Sequence, residues 1–259
     1  MLECHNFMNV KERQFLINRI SDLANRAYYK NITTHTVFLN LYEQTIFQSI
    51  STSLQVSYKI LGGYDYAERK LVCFFSCNPE NIEDSDFMDL LHISNKNPKF
   101  SQSVSHRDYL GALMNIGIER HMLGDICIIG DEAYVYVLRS ASAIIIDNLF
   151  DIRHNKVNVS KADFRAIDFS SNVQEKIINI ASNRLDSIVS SVYNISRAKA
   201  NLLIDADKVF INSKLINTHS HVLKPEDIVS VRGLGRFIYS DIEKISKKGR
   251  LVVKIRQYI

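Results

Sequence analysis

Residues 184–232 change their hydrophobic period from helical to strand-like, and this change constrains the fold more than any other feature of the sequence. The segment opens with apolar side chains at the spacing of one helical face: Leu185, Ile188, Val189 and Val192. Such spacing is typical of a short helix with one buried side. Ser196 predicts a second helix over residues 197–204, because its hydroxyl can accept a backbone N–H that the first turn leaves unpaired. The segment therefore begins with two short helices that meet at a tight corner.

After the second helix the hydrophobic period becomes two, which is the spacing of a β-strand. Val209 and Ile211 alternate with their neighbours, and Asn212-Ser213 can turn the chain into a short return segment. Residues 227–232 follow a proline and indicate a further strand. The whole segment therefore predicts a small α/β module of two helices and several short strands.

Five basic residues flank these helices and strands without lying on their apolar faces. They are Arg184, Arg197, Lys199, Lys208 and Lys214. The start of the second helix adds free N–H groups and the positive end of a helix dipole, which suits a phosphate oxygen. Any one of these side chains alone is more simply a solvated cation, because Lys and Arg usually stay exposed. Their clustering favours a basic, phosphate-binding edge.

The charge of the chain is unevenly distributed. Residues 184–259 hold 14 Lys and Arg against 7 Asp and Glu, a net charge of +7, whereas the preceding residues hold 18 against 21, a net charge of −3. Such an asymmetry is expected of a module that binds a polyanion. An anionic membrane would attract the same charge, but the C-terminal end is β-like and lacks a basic amphipathic helix. Nucleic acid is therefore the favoured partner.

Other features predict a cytoplasmic protein without a membrane partner. No apolar run is long enough to cross a membrane, and the first ten residues lack the pattern of a secretory signal. The four cysteines, Cys4, Cys73, Cys77 and Cys127, show no C-x-x-C pair and no metal-ligand spacing with histidine. We expect them to be reduced, buried side chains that hold no metal.

Residues 1–77 predict an N-terminal α/β domain. Apolar residues at helical spacing indicate an amphipathic helix over 10–28, and Asn40 with Glu43 has the pattern of a capping box for a second helix. Strands are indicated over residues 56–60 and 71–75. Neither G-x-G-x-x-G nor G-x-x-x-x-G-K-[ST] occurs, which argues against a nucleotide-binding motor or a dehydrogenase. We therefore expect no cofactor and no small-molecule substrate.

Residues 78–168 alternate strands and helices in the order β-α-β-β-α-β. That order predicts a ferredoxin-like, RNA-recognition-like plait with its helices on one face. Tyr134 and Tyr136 share one face of a central strand and could stack bases, although packing is the commoner role of strand tyrosines. Residues 169–180 are expected to lead to the C-terminal module at 181–259 through a segment whose apolar residues are compatible with a helix.

The densest local pattern begins at Ser105 and reads S-H-R-D-Y-L-G-A-L. Ser105 and Asp108 predict a capping box at the start of a helix. Gly117 and Gly124 predict turns after it.

This capping box leaves His106 and Arg107 unexplained. His106 with Asp108 is the one candidate for a catalytic pair in the sequence. His-Arg-Asp also occurs in the kinase catalytic loop, but the asparagine spacing, the Asp-Phe-Gly motif and the glycine-rich loop of kinases are absent. A structural role for the aspartate is therefore favoured.

Five short motifs follow one another in the C-terminal segment. They are Arg-Leu-Asp at 184–186, Ser-Arg-Ala at 196–198, Leu-Ile at 203–204, Lys-Val-Phe-Ile-Asn at 208–212 and Lys-Pro-Glu-Asp-Ile at 224–228. In this order they resemble the RNA-binding domain named after ribosomal small-subunit protein S-four. Members of that family usually carry glycine where this chain has Asp207 and Ser213, so the type of the hairpin turn stays open. The resemblance implies that Asn212 joins the five cations in contacting RNA.

Three further motifs precede this module. They are T-H-T-x-F-L at 34–39, G-G-Y-x-x-A-E-R-K at 62–70, and the pattern from Ser105 with G-D-I at 124–126. Together they resemble the YlmH family over nearly the full length. The resemblance implies a bacterial, cytoplasmic RNA-binding protein, which we expect to be a monomer. It also implies partners in large-subunit ribosomal RNA and in tRNA or peptidyl-tRNA, during rescue of stalled nascent chains.

The sequence thus predicts a non-enzymatic α+β multidomain protein that contacts RNA through the five cations, Asn212, His106 and Arg107. An RNA-modifying enzyme is an alternative, because S-four-type domains often deliver pseudouridine synthases or methyltransferases to RNA. No convincing catalytic aspartate or cofactor loop supports that alternative. A cell-division adaptor is a third hypothesis, and it predicts that the basic edge is dispensable.

Overall fold

A computed structural model describes residues 9–76, 82–98, 101–164, 173–246 and 249–258. Within these ranges the chain is an α+β protein built from several antiparallel sheets, as the sequence predicts. The chain divides into two compact units, Met1–Phe169 and Ser170–Ile259. Cys4 and Cys77 lie outside the described residues.

The first unit combines four helices with two antiparallel sheets in its described residues. The helices are α1 (Val10–Lys30), α2 (Leu41–Ile50), α3 (His106–Asn115) and α4 (Arg139–Asn148). The strands are β1 (Thr34–His35), β2 (Ser57–Leu61), β3 (Leu71–Phe75), β4 (Met88–Asn95), β5 (Leu123–Ile129), β6 (Glu132–Leu138), β7 (Asp151–Ile152) and β8 (Asn155–Ala162). Their order is β1-β3-β2 in one sheet and β5-β6-β4-β8-β7 in the other.

Reciprocal capping boxes start the helices at the predicted positions. The Asn40 side chain accepts the Glu43 N–H, and the Glu43 carboxylate accepts the Asn40 N–H. Ser105 and Asp108 form the same arrangement at α3. These bonds satisfy N–H groups that a helix start leaves without intrahelical partners. Both capping-box predictions are confirmed.

The five-stranded sheet is buried on both faces. On one face Leu91 and Val135 pack with residues of α3 and α4, such as Leu113. On the other face Leu90 and Tyr136 join a second core with residues of the three-stranded sheet. An RNA-recognition plait stacks bases on this second face, but here the three-stranded sheet covers it.

Tyr136 is consequently fully buried, with no exposed surface. Tyr134 is half-buried, and its ring stacks on His92 with a centroid separation of 4.7 Å. The hypothesis that both tyrosines present a base-stacking surface is therefore wrong, and the alternative of packing is confirmed for Tyr136.

Motif residues join the two sheets of the first unit. Asp125 accepts hydrogen bonds from the Arg69 backbone N–H at 3.0 Å and from the Tyr64 hydroxyl at 2.7 Å. The buried Arg69 guanidinium donates to the carbonyl oxygens of Leu123 at 2.8 Å and Phe38 at 3.0 Å. Three of the motifs that resemble the YlmH family therefore meet here in a structural role.

Two motif glycines make room for Tyr136 at this junction. A Cβ on Gly63 would lie 2.1 Å from the Tyr136 ring, and a Cβ on Gly124 would lie 2.9 Å from Tyr136 and from Phe38. Gly124 lies within β5, so the prediction of a turn there is wrong, and close packing explains the glycine. Gly117 does adopt a positive φ of +87° after α3, as a turn requires.

The second unit packs two short helices on one antiparallel sheet. The helices are α5 (Leu185–Val192) and α6 (Arg197–Asp205). The strands are β9 (Val173–Ile180), β10 (Val209–Ile211), β11 (Lys214–Leu215), β12 (Asp227–Val231), β13 (Gly235–Ile245) and β14 (Leu251–Tyr258). They are ordered β11-β10-β12-β13-β14-β9.

Residues 173–180 are a strand and not the helix that the sequence allowed. β9 pairs antiparallel with β14 over its whole length, from Val173 opposite Tyr258 to Ile180 opposite Leu251. Ile178 and Ile180 point into the core, whereas Ile177 is 60% exposed. Burial therefore follows the two-residue period of a strand, and pairing with a distant segment overrides the local pattern. Residues 169–172 of the predicted connection lie outside the described parts.

The apolar face of α5 forms the centre of this unit, as its spacing predicts. Its four predicted core residues, Leu185, Ile188, Val189 and Val192, are all at most 2% exposed. They pack with sheet residues that include Val209, Val229 and Phe237. This packing fixes the position of the α5 start, where the first candidate cations lie.

Candidate nucleic-acid interface

Arg184 and Arg197 meet on one buried carboxylate. Asp186 is 2% exposed and lies in the first turn of α5. Arg184 donates through Nε to Asp186 Oδ1 at 3.1 Å, and Arg197 donates through Nη2 to Asp186 Oδ2 at 2.6 Å. Asp186 thus fixes both guanidinium groups at the corner between the helices, and the three side chains together carry one net positive charge.

The pKa of Asp186 reflects two opposing effects. Burial penalises the charged carboxylate, but the hydrogen bonds from Arg197 and Arg184 outweigh burial and lower the pKa below its ordinary value. The carboxylate is therefore ionised at neutral pH. The two arginine side chains remain half-exposed, at 43% for Arg184 and 54% for Arg197, and can contact a ligand while they are held.

Lys199 lies in the first turn of α6. Ser196 caps this helix, and its hydroxyl accepts the Lys199 backbone N–H at 3.1 Å, as predicted. The Lys199 side chain is exposed. Arg184, Arg197 and Lys199 are thus brought together at the helix starts, where the positive end of the α6 dipole reinforces their charge.

Lys208 and Lys214 flank the β10 strand. Lys208 precedes β10 and its backbone N–H bonds to the last turn of α6, whereas Lys214 follows the hairpin turn opposite Ile211. Lys208 is three strand positions, or about 10 Å, from Ile211, the residue opposite Lys214. Within the described ranges, no carboxylate lies within ion-pairing distance of Lys199, Lys208 or Lys214. These lysines therefore carry charge that no acid in the described parts of the chain neutralises.

The hairpin turn has φ values of 50° at Asn212 and 64° at Ser213. Two positive φ values define a type I′ turn, so the structure resolves the turn type that the sequence left open. Asp207 also lies in the left-handed region, with φ 53°. Asp207 and Ser213, which replace the family's glycines, thus keep the left-handed backbone that glycine would adopt, although they tolerate it less well.

The Asn212 side chain is occupied within the fold. Its Nδ2 donates to Asp227 Oδ1 at 2.7 Å, and its Oδ1 accepts the Ile228 N–H at 2.9 Å. Both polar atoms therefore tie the hairpin to the start of β12. This arrangement favours a structural role for Asn212 over direct contact with RNA.

Arg232 is a further cation of this surface that the sequence analysis did not select. Its backbone N–H donates to the Lys208 carbonyl at 2.9 Å, and its guanidinium lies 5.4 Å from the Phe210 ring centroid. The Arg232 side chain is exposed. Its position at the end of the predicted strand 227–232 was the available signal, but the pairing of that strand with β10 could not be read locally.

His106 and Arg107 are neighbours at the start of α3, but their side chains have different surroundings. His106 has an exposed surface, and its pKa is lowered by partial desolvation first and then by the nearby charge of Arg120. Arg107 instead lines an open groove of about 550 Å³ together with Phe150 and Arg153. The two residues therefore do not form one site.

Asp108 is committed to the helix cap. Its Oδ2 accepts the Ser105 N–H at 2.9 Å and the Ser105 hydroxyl at 2.7 Å, and Arg153 lies 3.5 Å from its Oδ1. The hydrogen bond from the Ser105 hydroxyl is the main cause that lowers the Asp108 pKa. Because its oxygens are bonded in this way, Asp108 does not orient the His106 ring for general acid or base chemistry.

No cluster of three or more His, Cys, Asp or Glu side chains arranged to hold a metal ion occurs among the described residues. In the same part of the chain, no helix is both long and apolar enough to span a membrane. Cys73 is fully buried and Cys127 is half-buried, and both are free thiols. The sequence-based expectation of a small buried side chain is therefore met fully at Cys73.

Comparison with known proteins gives three kinds of similarity. A family model described as the putative RNA-binding domain in YlmH matches residues 83–166. The chain is 31% identical over 218 residues to the Ribosome-associated protein quality control protein P2 of Bacillus subtilis (strain 168), which covers 83% of each chain. It is also 32% identical over 84 residues to small ribosomal subunit protein uS4 of Thermotoga petrophila, a match that spans 32% of this chain and 38% of that protein.

Among solved structures, the fold is similar to the Cell division protein ylmH from Streptococcus pneumoniae. The TM-score is 0.50 at 19% sequence identity, and the match covers 64% of this chain and 99% of that chain. At this identity the similarity concerns the fold alone.

Proposed function

Because the chain belongs to the YlmH family, we propose that it binds structured RNA on the large ribosomal subunit and acts there by binding, without catalysis. The similarity to a ribosome-associated relative and to an RNA-binding family model supports an RNA-binding, ribosome-associated role. The observation that carries the finer proposal is the set of cations in the second unit without an acidic partner in the described parts: Lys199, Lys208 and Lys214.

We propose that these lysines hold RNA phosphates while the arginines on Asp186 provide an oriented contact at the α5–α6 corner. Arg guanidinium groups suit phosphate because they present donors in a fixed planar fork. Asp186 limits the directions that Arg184 and Arg197 can take, so less rotamer freedom is lost on binding. The lysines then supply charge, and the arginines supply geometry.

The S-four-type assignment of the second unit is part of this proposal. It is supported by the sequence similarity to the small-subunit protein, and by two short helices packed on an antiparallel sheet with a basic hairpin. The order β5-β6-β4-β8 with two helices on one face likewise supports a ferredoxin-like plait in the first unit. In this chain the plait contributes no open sheet face for base stacking.

We infer that the RNA includes tRNA or peptidyl-tRNA on the subunit, in keeping with the quality-control role named for the Bacillus relative. A protein that binds the tRNA-occupied state more tightly stabilises that state by mass action, and no bond need break. The cell-division name of the Streptococcus protein belongs to a match that shows fold alone. An adaptor in division stays an alternative, and it predicts that the three lysines are dispensable.

Co-sedimentation with separated ribosomal subunits over a salt series tests the proposal. We expect the natural chain to travel with large subunits, and more tightly when they carry tRNA. A Lys199→Gln, Lys208→Gln, Lys214→Gln variant should bind more weakly, and its log–log salt slope should be smaller in magnitude by roughly 2 to 3.

The matched control replaces three exposed cations of the first unit: Lys96→Gln, Arg139→Gln and Lys156→Gln. It changes net charge equally but should retain the natural affinity and slope. Equal binding by the variant, the control and the natural chain would contradict the proposed surface. Binding to neither subunit would contradict the ribosomal assignment.

A further inference from the structure

The outer face of α1 carries cations and aromatic rings together. Its exposed residues are Lys11, Phe15, Arg19, Asp22, Arg26, Tyr29 and Lys30. The opposite face is buried through Ile20, Ala24 and Ala27, which pack against the three-stranded sheet and α2. The apolar residues that anchor the helix are therefore distinct from the rings on its outer face.

The two rings are far more exposed than packing requires. Phe15 is 70% exposed and Tyr29 is 77% exposed. They lie fourteen residues apart on one helix, or about 21 Å along its axis. Single exposed apolar residues are common on protein surfaces, but here both rings lie on the face that also carries the cations.

These cations have no acidic partner within the described ranges. Neither an ion pair nor a side-chain hydrogen bond involves Lys11, Arg19, Arg26 or Lys30. Of the two acids of α1, Glu12 is occupied by the capping box with Asn9, which leaves Asp22 on the outer face. The face therefore has an excess of positive charge that no acid among the described residues neutralises.

This charge stands out against the rest of the N-terminal sequence. Residues 10–30 hold five Lys and Arg against two Asp and Glu, a net charge of +3, although residues 1–183 together have a net charge of −3. Positive charge is thus concentrated on one helix of an otherwise acidic part of the chain. Such a concentration is the electrostatic footprint of a polyanion site.

We propose that the outer face of α1 binds a single-stranded segment of RNA. Arg19 and Arg26, about 10 Å apart along the helix, hold backbone phosphates. Phe15 and Tyr29 stack on unpaired bases, which double-stranded RNA does not offer. This inference rests on the proposed RNA-binding function and adds to it a second contact, in the first unit.

The burial of the central sheet supports this location. A plait that binds RNA presents aromatic rings on its sheet, but the corresponding ring of Tyr136 is fully buried here. The rings on α1 are instead open to a ligand. An anionic membrane is a less suitable occupant, because the main apolar face of the helix is already buried in the core and the outer face offers two separate rings and no continuous apolar surface.

The test measures binding of the full-length chain to a short, fluorescein-labelled oligouridylate by fluorescence anisotropy over a salt series. All measurements use the Lys199→Gln, Lys208→Gln, Lys214→Gln background, so that the second unit does not mask α1. Arg19→Gln with Arg26→Gln should weaken binding and reduce the magnitude of the salt slope by about 1.4. Phe15→Ala with Tyr29→Ala should weaken binding roughly fivefold or more per ring and leave the slope unchanged.

The matched control, Lys96→Gln with Arg139→Gln, removes two exposed cations of the same unit and should change neither quantity. The inference is overturned if the α1 variants bind the oligouridylate as the control does. It is also overturned if the chain binds phosphatidylglycerol vesicles through α1 and does not bind the RNA. Failure to co-sediment with large subunits would contradict the ribosomal proposal alone, because this assay contains no ribosome.

Discussion

Replacing Gly63 with alanine should destabilise the first unit much more than the same change at Gly117. Both glycines have nearly the same backbone φ, +86° at Gly63 and +87° at Gly117. An alanine there costs roughly 1–2 kcal/mol at either position, because an L side chain clashes with its own backbone at positive φ. The two sites differ in their surroundings, so the pair separates backbone strain from packing.

Packing adds a second cost at Gly63 alone. The new Cβ would lie 2.1 Å from a ring carbon of Tyr136, whereas nothing lies within 4 Å of a Cβ at Gly117. Tyr136 cannot move away easily, because it is fully buried and stacks on Tyr64 at a centroid distance of 5.6 Å. Overpacking of this kind adds about 1–3 kcal/mol. Gly63→Ala should therefore cost about 2–5 kcal/mol in total and Gly117→Ala about 1–2 kcal/mol.

Hydrogen exchange measured by mass spectrometry can resolve this difference, because it reports the opening free energy of each peptide separately. Peptides from β4 and β6 should lose more protection in Gly63→Ala than in Gly117→Ala. Peptides from α5 should keep natural protection in both variants. Equal losses in the two variants would refute the close packing of Gly63 on Tyr136 as the reason for this glycine.

Two further substitutions and one labelling experiment have defined outcomes. Because the folded pKa of Asp186 is lowered, its ionised form stabilises the second unit above about pH 4, and this contribution is lost as pH falls through the folded pKa. Asp186→Asn should therefore cost about 1–3 kcal/mol at pH 7 and weaken the acid dependence of urea unfolding. An unchanged acid dependence would contradict the pairing of Asp186 with Arg184 and Arg197. Ser213→Gly should stabilise the second unit by about 1 kcal/mol in the same assay, because serine is held at φ 64°, and a loss of stability would contradict the type I′ turn. Burial raises the pKa of Cys73 to about 11, so iodoacetamide at pH 8 should label Cys127 well before Cys73, as peptide mass spectrometry can show; the reverse order would contradict the burial of Cys73.

Features carried by neighbouring residues could be predicted from the sequence. The buried face of α5 follows from apolar spacing, the cap at Ser105 follows from residue types three positions apart, and the cap at Ser196 follows from a serine directly before the second helix. The candidate cations were visible because they flank such local patterns. Arg197, Lys199 and Lys214 are exposed, and Arg184 and Lys208 are half-buried.

Features that depend on distant contacts could not be predicted. The segment 173–180 becomes a strand because it pairs with β14, which lies more than seventy residues further along the chain. Tyr136 alternates like a surface tyrosine of a plait, but the three-stranded sheet covers it. Glycine is typical of turns, so the sequence predicted a turn at Gly124. The structure instead requires glycine there because Phe38 and Tyr136 lie close to its backbone.

The pairing of Asp186 with Arg184 and Arg197 shows the same limit at the candidate interface. The motif Arg-Leu-Asp could be read locally, but the bond from Arg197 to Asp186 spans eleven residues and depends on the corner between α5 and α6. Asn212 was selected through its motif, and only the fold shows that Asp227 and Ile228 occupy its side chain. Charge can thus be read from a sequence more reliably than the partners that neutralise it.

Ultraviolet cross-linking of the natural chain to purified large ribosomal subunits, followed by mass spectrometry of the cross-linked peptides, tests the central proposal most directly. We expect ribosomal RNA to be attached to peptides that contain α6 and the β10–β11 hairpin. The proposal would be contradicted if the chain bound the subunit but its RNA cross-links excluded both of these elements.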